Sequence, residues 1–442
     1  MRFFKLFITL FVATSLNANA LNLVRDAEIE DYLYEISAPI FQSGSTSSDA
    51  LAFYLVKDNS INAFVYGGQN IFINTGLIEA SNTPNMLQGV ISHEFGHIIG
   101  AHLVKSQASM QKSIATYAIA TLLGVGMLIA SPTNSGTNAA IASTMLGQHI
   151  AERQFLSFSR TQEAEADRYA MLFMKKSDIS SNGMLELFKK LESVQSKYTK
   201  EIDKYSITHP LTTDRIAYFQ SHINQGKKTD EATLQKHFFI QAKILAHSGN
   251  ASLHTNTHTI LNHPQYKAYY LSYQNLLENK NEAALFHINN LLKLYPHNPY
   301  FHETAAIIYT NLQQNQQAIS HFKTAIELSQ SNLVSQEYAA FLIKTFHDEE
   351  KIKEGIAILE DLKNTNEHSA TLYQNLQYAY SKLNLKEYYL ISRVEEIALF
   401  MEKSDKDSRY TLRDEIFKLK NLLKDKPNAV IFERLKRIEK IV

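Results

Sequence analysis

Hydrophobic and polar positions follow different rhythms along the chain. In Leu87–His102 the apolar residues Leu87, Val90, Ile91, Ile98 and Ile99 recur at the spacing of one helical face, which predicts a helix with one side buried. Ahead of it, Asn62–Thr75 alternates as strands do, and Gly67-Gly68 in its middle permits the positive φ of a tight turn. After about residue 222 glycine nearly disappears and the pattern becomes wholly helical. A period then emerges: Ala284, Ile288 and Leu291 recur 34 residues on as Ala318, Phe322 and Ala325, and a looser copy, Gly355, Leu359 and Leu362, follows at an offset of 37. One such unit cannot bury its apolar face alone, so stacked units are expected to share a continuous core and present a concave surface that binds proteins.

These rhythms divide the chain. Met1–Ala20 has Arg2 and Lys5, an apolar run Leu6–Leu16 and the small-residue pattern Ala18-Asn19-Ala20, which reads as a secretory signal cleaved after Ala20. Residues 21–222 form a first domain, 223–231 a linker around Gly226–Glu231, and 232–442 a helical repeat domain whose segment 405–442 caps the array. With 442 residues and 45% hydrophobic content, two domains with their own cores are expected. The formal net charge of zero gives no support to nucleic-acid binding. The chain contains no cysteine, so neither a disulfide nor a lipid-modified N-terminus is expected.

Chemistry enters at His93-Glu94-Phe95-Gly96-His97. Two histidines four apart share a helical face and can grip one zinc ion, with Glu94 placed to take a proton from a zinc-bound water. The five residues also arise by chance, and a core helix with two hydrogen-bonded histidines is the bland alternative. A catalytic zinc needs a third protein ligand and an open position. One class finds that ligand in HExxHxxGxxH. Here Gly100 fits, but position 103 is Leu103 and His102 falls one residue early, so His102 reads as a helix-end histidine. Another class takes a glutamate from a second helix, and Ser159–Ala170 offers Glu163 and Asp167, four apart on one face. One carboxylate could reach the metal while the aspartate orients a ligating histidine through its free N–H. Glu165 lies some 200° round that helix from Glu163, at about 100° per residue, and reads as surface charge.

HEFGH followed by EAEAD resembles the zinc metallopeptidase family that contains the CAAX prenyl endopeptidases, bacterial HtpX and the periplasmic BepA-type proteases. Further segments fit in the family's order: residues 26–40 resemble its opening helix, Asn62–Ile78 its strand pair, and Ser206–Ile216 its closing histidine-proline turn leading to an arginine. The resemblance covers roughly residues 22–222. It implies an α+β, mostly α fold: a gluzincin-type metallopeptidase domain with a small β-sheet, followed by an α-helical solenoid of tetratricopeptide (TPR) type. It also implies one Zn2+ per chain held by His93, His97 and Glu163, with Glu94 as general base and Asp167 supporting the ligands; Arg215 would support the site too, or only tie the turn to the core. His209 would then gate the ion's open position or donate to the oxyanion, or be only a turn histidine pinned by Pro210.

One stretch resists this picture. Ile114–Ala130 is seventeen uncharged residues, close to the length of a membrane helix. If His97 and Glu163 share an ion, the chain must return to the same side, and the only candidate second crossing, Ala139–Leu146, is too short. Residues 114–130 therefore read as an apolar hairpin beside the cleft, touching lipid at the membrane periphery or an unfolded client, or as a buried core helix. Two functions remain open. One is a periplasmic zinc endopeptidase whose repeats present unfolded or stalled clients, in quality control and assembly of outer-membrane proteins. The other is a chaperone or docking scaffold with a largely gated site. The resemblance suggests the outer-membrane β-barrel assembly machinery as partner through the TPR domain.

Overall fold

The computed structural model describes residues 22–46, 51–66, 68–106, 108–109, 111–112, 145, 159–197, 209–248, 257–365, 369–400, 406–425 and 427–439. The signal-like segment 1–20 and the apolar stretch 114–130 lie outside the described residues. The chain forms two compact units, Met1–Leu277 and Glu278–Val442. The first therefore runs past the 223–231 stretch at which the hydropathy pattern changes.

In the first unit, β1 (Leu23–Val24) leads into α1 (Ala27–Ser43), which starts where the Asp26 carboxylate accepts the Ile29 N–H at 3.1 Å. A four-stranded sheet follows with β2 (Ala52–Val56), β3 (Ala63–Tyr66) and β4 (Asn70–Asn74), in the order β1-β2-β4-β3. β3 and β4 form the expected hairpin, turning through Gly68 at φ 104°. β2 joins β4 in parallel, a pairing that no local pattern announces. Alternation decides the two faces. Tyr54 and Phe64 stack on Phe72, with ring centroids 4.9 and 5.0 Å apart, on one face, while Phe53, Leu55, Ala63, Ile71 and Ile73 enter the core on the other.

That core is completed by helices. α2 (Thr75–Ala80) and α3 (Pro84–Ile99) follow the sheet, with Pro84 in the first turn of α3 where its missing N–H costs nothing. α4 spans 159–176, followed by α5 (Asn182–Lys197), α6 (Thr213–Ser221) and α7 (Glu231–Ser248). Leu33, Ile40, Phe41, Val90, Phe95, Phe173, Phe188, Phe219 and Ile240 belong to one buried cluster. α7 is tied into this unit by buried polar groups. His237 Nε2–H donates to the Ser81 carbonyl at 2.8 Å, so its Nδ1 accepts from Tyr32 Oη, also at 2.8 Å. Gln241 donates to the Ile78, Glu79 and Ser81 carbonyls, and the Lys243 ammonium meets Asp26 and Glu28.

The second unit is helical throughout its described residues, from α10 (Asn281–Leu294) to α18 (Ala429–Glu439), with α8 (Thr257–Asn262) and α9 (Pro264–Leu277) preceding it in the first unit. Its helices pack as sequential neighbours, α11 (Pro299–Asn311) on α12 (Asn315–Ser329) and α13 (Asn332–Thr345) on α14 (Glu349–Asn364). The periodic residues Ala284, Ile288, Leu291, Ala318, Phe322, Ala325, Leu359 and Leu362 are all buried. The backbone repeats too: Asn279 and Gln313, 34 residues apart, both turn between helices at φ 58°. Among the described residues no helix is long and apolar enough to cross a membrane.

Candidate metal centre

α3 turns Leu87, Val90, Ile91 and Phe95 into the core, and this leaves His93, Glu94 and His97 facing α4. The two helices come close because residue 96 is glycine. A Cβ there would stand 2.8 Å from the Ala166 carbonyl oxygen and 3.1 Å from Ala166 Cα, closer than a side chain tolerates against backbone. Across that contact His93 Nε2 lies 3.2 Å from Glu163 Oε2, and His97 Nε2 lies 3.4 Å from Glu163 Oε1 and 3.1 Å from His93 Nε2. His209, in the stretch before α6, brings Nδ1 to 3.3 Å from His93 Nε2 and 3.2 Å from Glu163 Oε1. Among the described residues these four side chains form the one group able to hold a metal ion.

Behind them stands a second layer. Asp167 Oδ1 is 2.9 Å from His93 Nδ1, so a neutral His93 carries its proton on Nδ1 and turns its Nε2 lone pair to the cluster. Arg215, anchored in α6, clamps Asp167 with Nε at 2.7 Å and Nη2 at 2.8 Å, and reaches Glu163 Oε2 with Nη1 at 3.0 Å. Its Nη1 also donates to the His209 and Pro210 carbonyls, so one guanidinium joins the two helices to the His-Pro turn. Glu94 is 1% exposed and neither of its oxygens has a hydrogen-bond partner; Oε1 lies 3.4 Å from His209 Nε2.

Burial and charge set the protonation of the group. Burial drives His97 down to about 3. Burial would lower His93 as well, but the hydrogen bonds of Asp167 and Glu163 prevail and raise it to about 9. Burial pushes Glu94 up. Burial acts the same way on Glu163, yet His209 with His93 and His97 holds it far below the usual carboxylate range; Asp167 is likewise buried, and Arg215 with His93 lowers it. The Glu163 and Asp167 carboxylates that hold this extra proton on His93 are the charge that a bound cation would meet in its place. The donor geometry fits such an ion. Ligands held at about 2.0–2.1 Å from a tetrahedral zinc stand about 3.3 Å apart. The nitrogen and oxygen atoms of His93, His97, Glu163 and His209 are separated by 3.1 to 3.4 Å in the pairs given above.

Every residue singled out in the sequence, His93, Glu94, His97, Glu163, Asp167, His209 and Arg215, therefore meets in one place. Two residues outside that set pack beside it. His102, expected as a helix-end histidine, folds back to put Nδ1 2.9 Å from His97 Nδ1. Glu165, expected as surface charge, brings Oε2 to 3.2 Å from His102 Nε2. Glu165 does point away from Glu163 as the helix angle requires; what the pattern could not place was the turn after α3, which lies on that side.

The profile of peptidase family M48 matches residues 25–223. A beta-barrel assembly-enhancing protease of Escherichia coli (strain K12) is 24% identical over 387 residues, 85% of this chain and 77% of that protein. A putative beta-barrel assembly-enhancing protease of Vibrio cholerae is 26% identical over 225 residues, 51% of this chain and 45% of that protein. Metalloprotease YcaL of E. coli is 29% identical over 175 residues, 39% of this chain and 62% of its own length. The matched span contains every residue of the cluster together with its Asp167 and Arg215 supports, and it forms a metalloendopeptidase domain similar to those of peptidase family M48.

Proposed function

We propose that the chain is a zinc-dependent endopeptidase of the periplasm that acts on proteins during outer-membrane assembly, with His93, His97 and Glu163 holding the ion and Glu94 serving as general base. The observation that carries this reading is the convergence of three ligand-type side chains from two helices beside a buried Glu94 whose oxygens have no hydrogen bond. A zinc ion bound there would supply a Lewis acid and a water acidified to a pKa of about 7. Glu94 is placed to remove a proton from the attacking water and to return it to the leaving amine, which completes hydrolysis of the amide. Asp167 keeps His93 in the ligating tautomer, and Arg215 holds Asp167. β3 is the edge strand on the α3 side of the sheet and offers main-chain hydrogen bonds to an extended peptide, which gives loose sequence preference.

The setting rests on the names of the relatives and on the second unit. The E. coli relative matches far beyond the metallopeptidase segment. The 34-residue periodicity supports a TPR-type solenoid that presents unfolded or stalled clients and docks on the β-barrel assembly machinery. Glu94→Gln tests the enzymatic claim: the variant should keep its metal, measured by elemental analysis, and lose cleavage of an unfolded client. Undiminished cleavage would refute the role of Glu94.

One observation favours a second reading, a chaperone or scaffold whose site is mostly shut. His209 Nδ1 stands where a fourth tetrahedral ligand would, and its Nε2 faces Glu94. His209→Ala separates the two. Faster cleavage identifies a gated protease. No cleavage by either form, with client assembly still supported by Glu94→Gln, identifies the scaffold.

A further inference from the structure

His93 is oriented by Asp167, but nothing in the HExxH motif says what orients its partner His97. We infer that His102, backed by Glu165, is the positioning residue for His97, so that each histidine of the pair has its own supporting side chain on α4 or on the turn beside it. The inference rests on the metal-binding reading above and extends it to two residues that the motif does not include.

The turn after α3 is shaped for this contact. Gly100 ends the helix and Ala101 takes a left-handed φ of 50°, which reverses the chain and swings residue 102 back over the last helical turn. The imidazole then lies directly against residue 100. A Cβ on Gly100 would meet His102 Nε2 at 2.3 Å and Cδ2 at 2.7 Å, so only glycine leaves room for the ring. The backbone of the turn is clamped to α4 by Gln162, whose side-chain amide donates to the His102 carbonyl at 2.9 Å and whose oxygen accepts from Ser106 at 2.9 Å. The result is a histidine 2% exposed, with Nδ1 2.9 Å from His97 Nδ1 and Nε2 3.2 Å from Glu165 Oε2.

The direction of these contacts follows from donor and acceptor chemistry. A His97 that offers its Nε2 lone pair to a cation carries its proton on Nδ1 and must donate it. The atom it meets is His102 Nδ1, which accepts only in the tautomer protonated at Nε2. The Glu165 carboxylate, 3.2 Å from His102 Nε2, favours a proton on that nitrogen and so favours that tautomer. A chain runs Glu165 to His102 to His97 on one side of the cluster, matching Arg215 to Asp167 to His93 on the other. The spacing His97-x-x-Gly100-x-His102 serves a different purpose from the three-histidine motif it nearly matches: there the glycine turn delivers a ligand, here it delivers the partner of a ligand.

The test uses the full chain and two ions, Zn2+ with a competing chelator and Co2+ as a spectroscopic probe of ligand geometry. His102→Phe keeps a ring of similar size and removes the acceptor. It should raise the Zn2+ Kd by about ten- to a hundredfold and shift the visible Co2+ bands, with the metal-free thermal midpoint unchanged. His102→Gln, whose amide oxygen can take the same proton, should recover most of the affinity. Gly100→Ala displaces the His102 ring without replacing it and should move Kd and Co2+ bands in the same direction as His102→Phe, which keeps the test open if the Phe variant folds poorly. A His102→Phe protein with the parent's Kd and Co2+ spectrum overturns the inference while leaving the site intact, provided the control Asp167→Asn does lose affinity. A parent chain that binds neither ion overturns the metal reading itself.

Discussion

The two units of this chain are built on opposite uses of buried polarity. In Met1–Leu277 the interior holds His93, Glu94, Glu163, Asp167, His209, Arg215, His237 and Lys243, each below a tenth exposed. Most are held by partners scores of residues away, as Arg215 is by Asp167 and His237 by Tyr32. In Glu278–Val442 the buried positions are mostly alanine, leucine, isoleucine, tyrosine and phenylalanine, with fewer buried charges such as Glu303 and Glu415, and Arg434 pairs with Glu395 and Glu360 where solvent still reaches. A desolvated charge is tolerated only if its partners converge, so the first unit is specified globally. Nearest-neighbour packing is enough for the second, which is why its sequence tolerates a drift from 34 to 37 residues without losing the buried face.

The contrast predicts different failures. Arg215→Met leaves the Asp167 carboxylate buried against an apolar side chain, and breaking a buried pair in this way costs about 3–5 kcal/mol. Near-UV circular dichroism and limited proteolysis should show the first unit lost and 278–442 retained; simultaneous loss of both would mean the units are not independent. Leu359→Ala empties a fully buried site in the second unit at a cost of about 2–5 kcal/mol. Denaturant unfolding should register it there alone, and Zn2+ affinity should not move. A parallel loss of metal would break the comparison.

Acid provides a third probe. His237 is buried neutral between Tyr32 and Ser81, and burial lowers it from the ordinary 6.5 to about 4. Between those values the unfolded chain binds the extra proton and the folded one does not, so stability is fully present above pH 6.5 and falls as the pH drops towards 4. The full difference is about 3 kcal/mol. His237→Gln should flatten that part of the stability profile of the metal-free first unit. An unchanged slope would mean that His237 is not the group responsible.

How much of this was readable beforehand varies with the range of the interaction. The HExxH helix, the Glu163 and Asp167 face, and the hairpin through Gly68 all have short periods, and periodicity reports on them directly. β2 pairs in parallel with β4 across the intervening β3, and no alternation within Ala52–Val56 encodes which strand it meets. α7 lies beyond the 223–231 stretch, where the pattern turns wholly helical, yet His237, Gln241 and Lys243 tie it into the first unit. Those three residues were the available signal: polar side chains interrupting the apolar face of a helix. The helix angle turns Glu165 away from Glu163 and says nothing of His102, which packs on that side.

The smallest expected change concerns Gly96, where stability and function should part. Alanine in the last turn of α3 gains at most about 1 kcal/mol in helix propensity over glycine. Against this, its Cβ would press on the Ala166 carbonyl at 2.8 Å, and overpacking of this kind costs about 1–3 kcal/mol. The two nearly cancel, so Gly96→Ala should shift the unfolding midpoint little. The relief, however, can come only from α3 and α4 moving apart, because the atom in the way is backbone and has no rotamer to change. That movement lengthens the 2.9 Å contact from His93 to Asp167 and the 3.2 Å approach of Glu163 to His93, the two distances that set up the ligands. Zn2+ affinity should therefore fall about tenfold, the effect of a perturbed supporting contact, in a protein that melts almost where its parent does. Equal affinity with a lowered midpoint would show instead that the helices hold their spacing and that strain is absorbed in the core, which would make the centre more rigid than its packing implies.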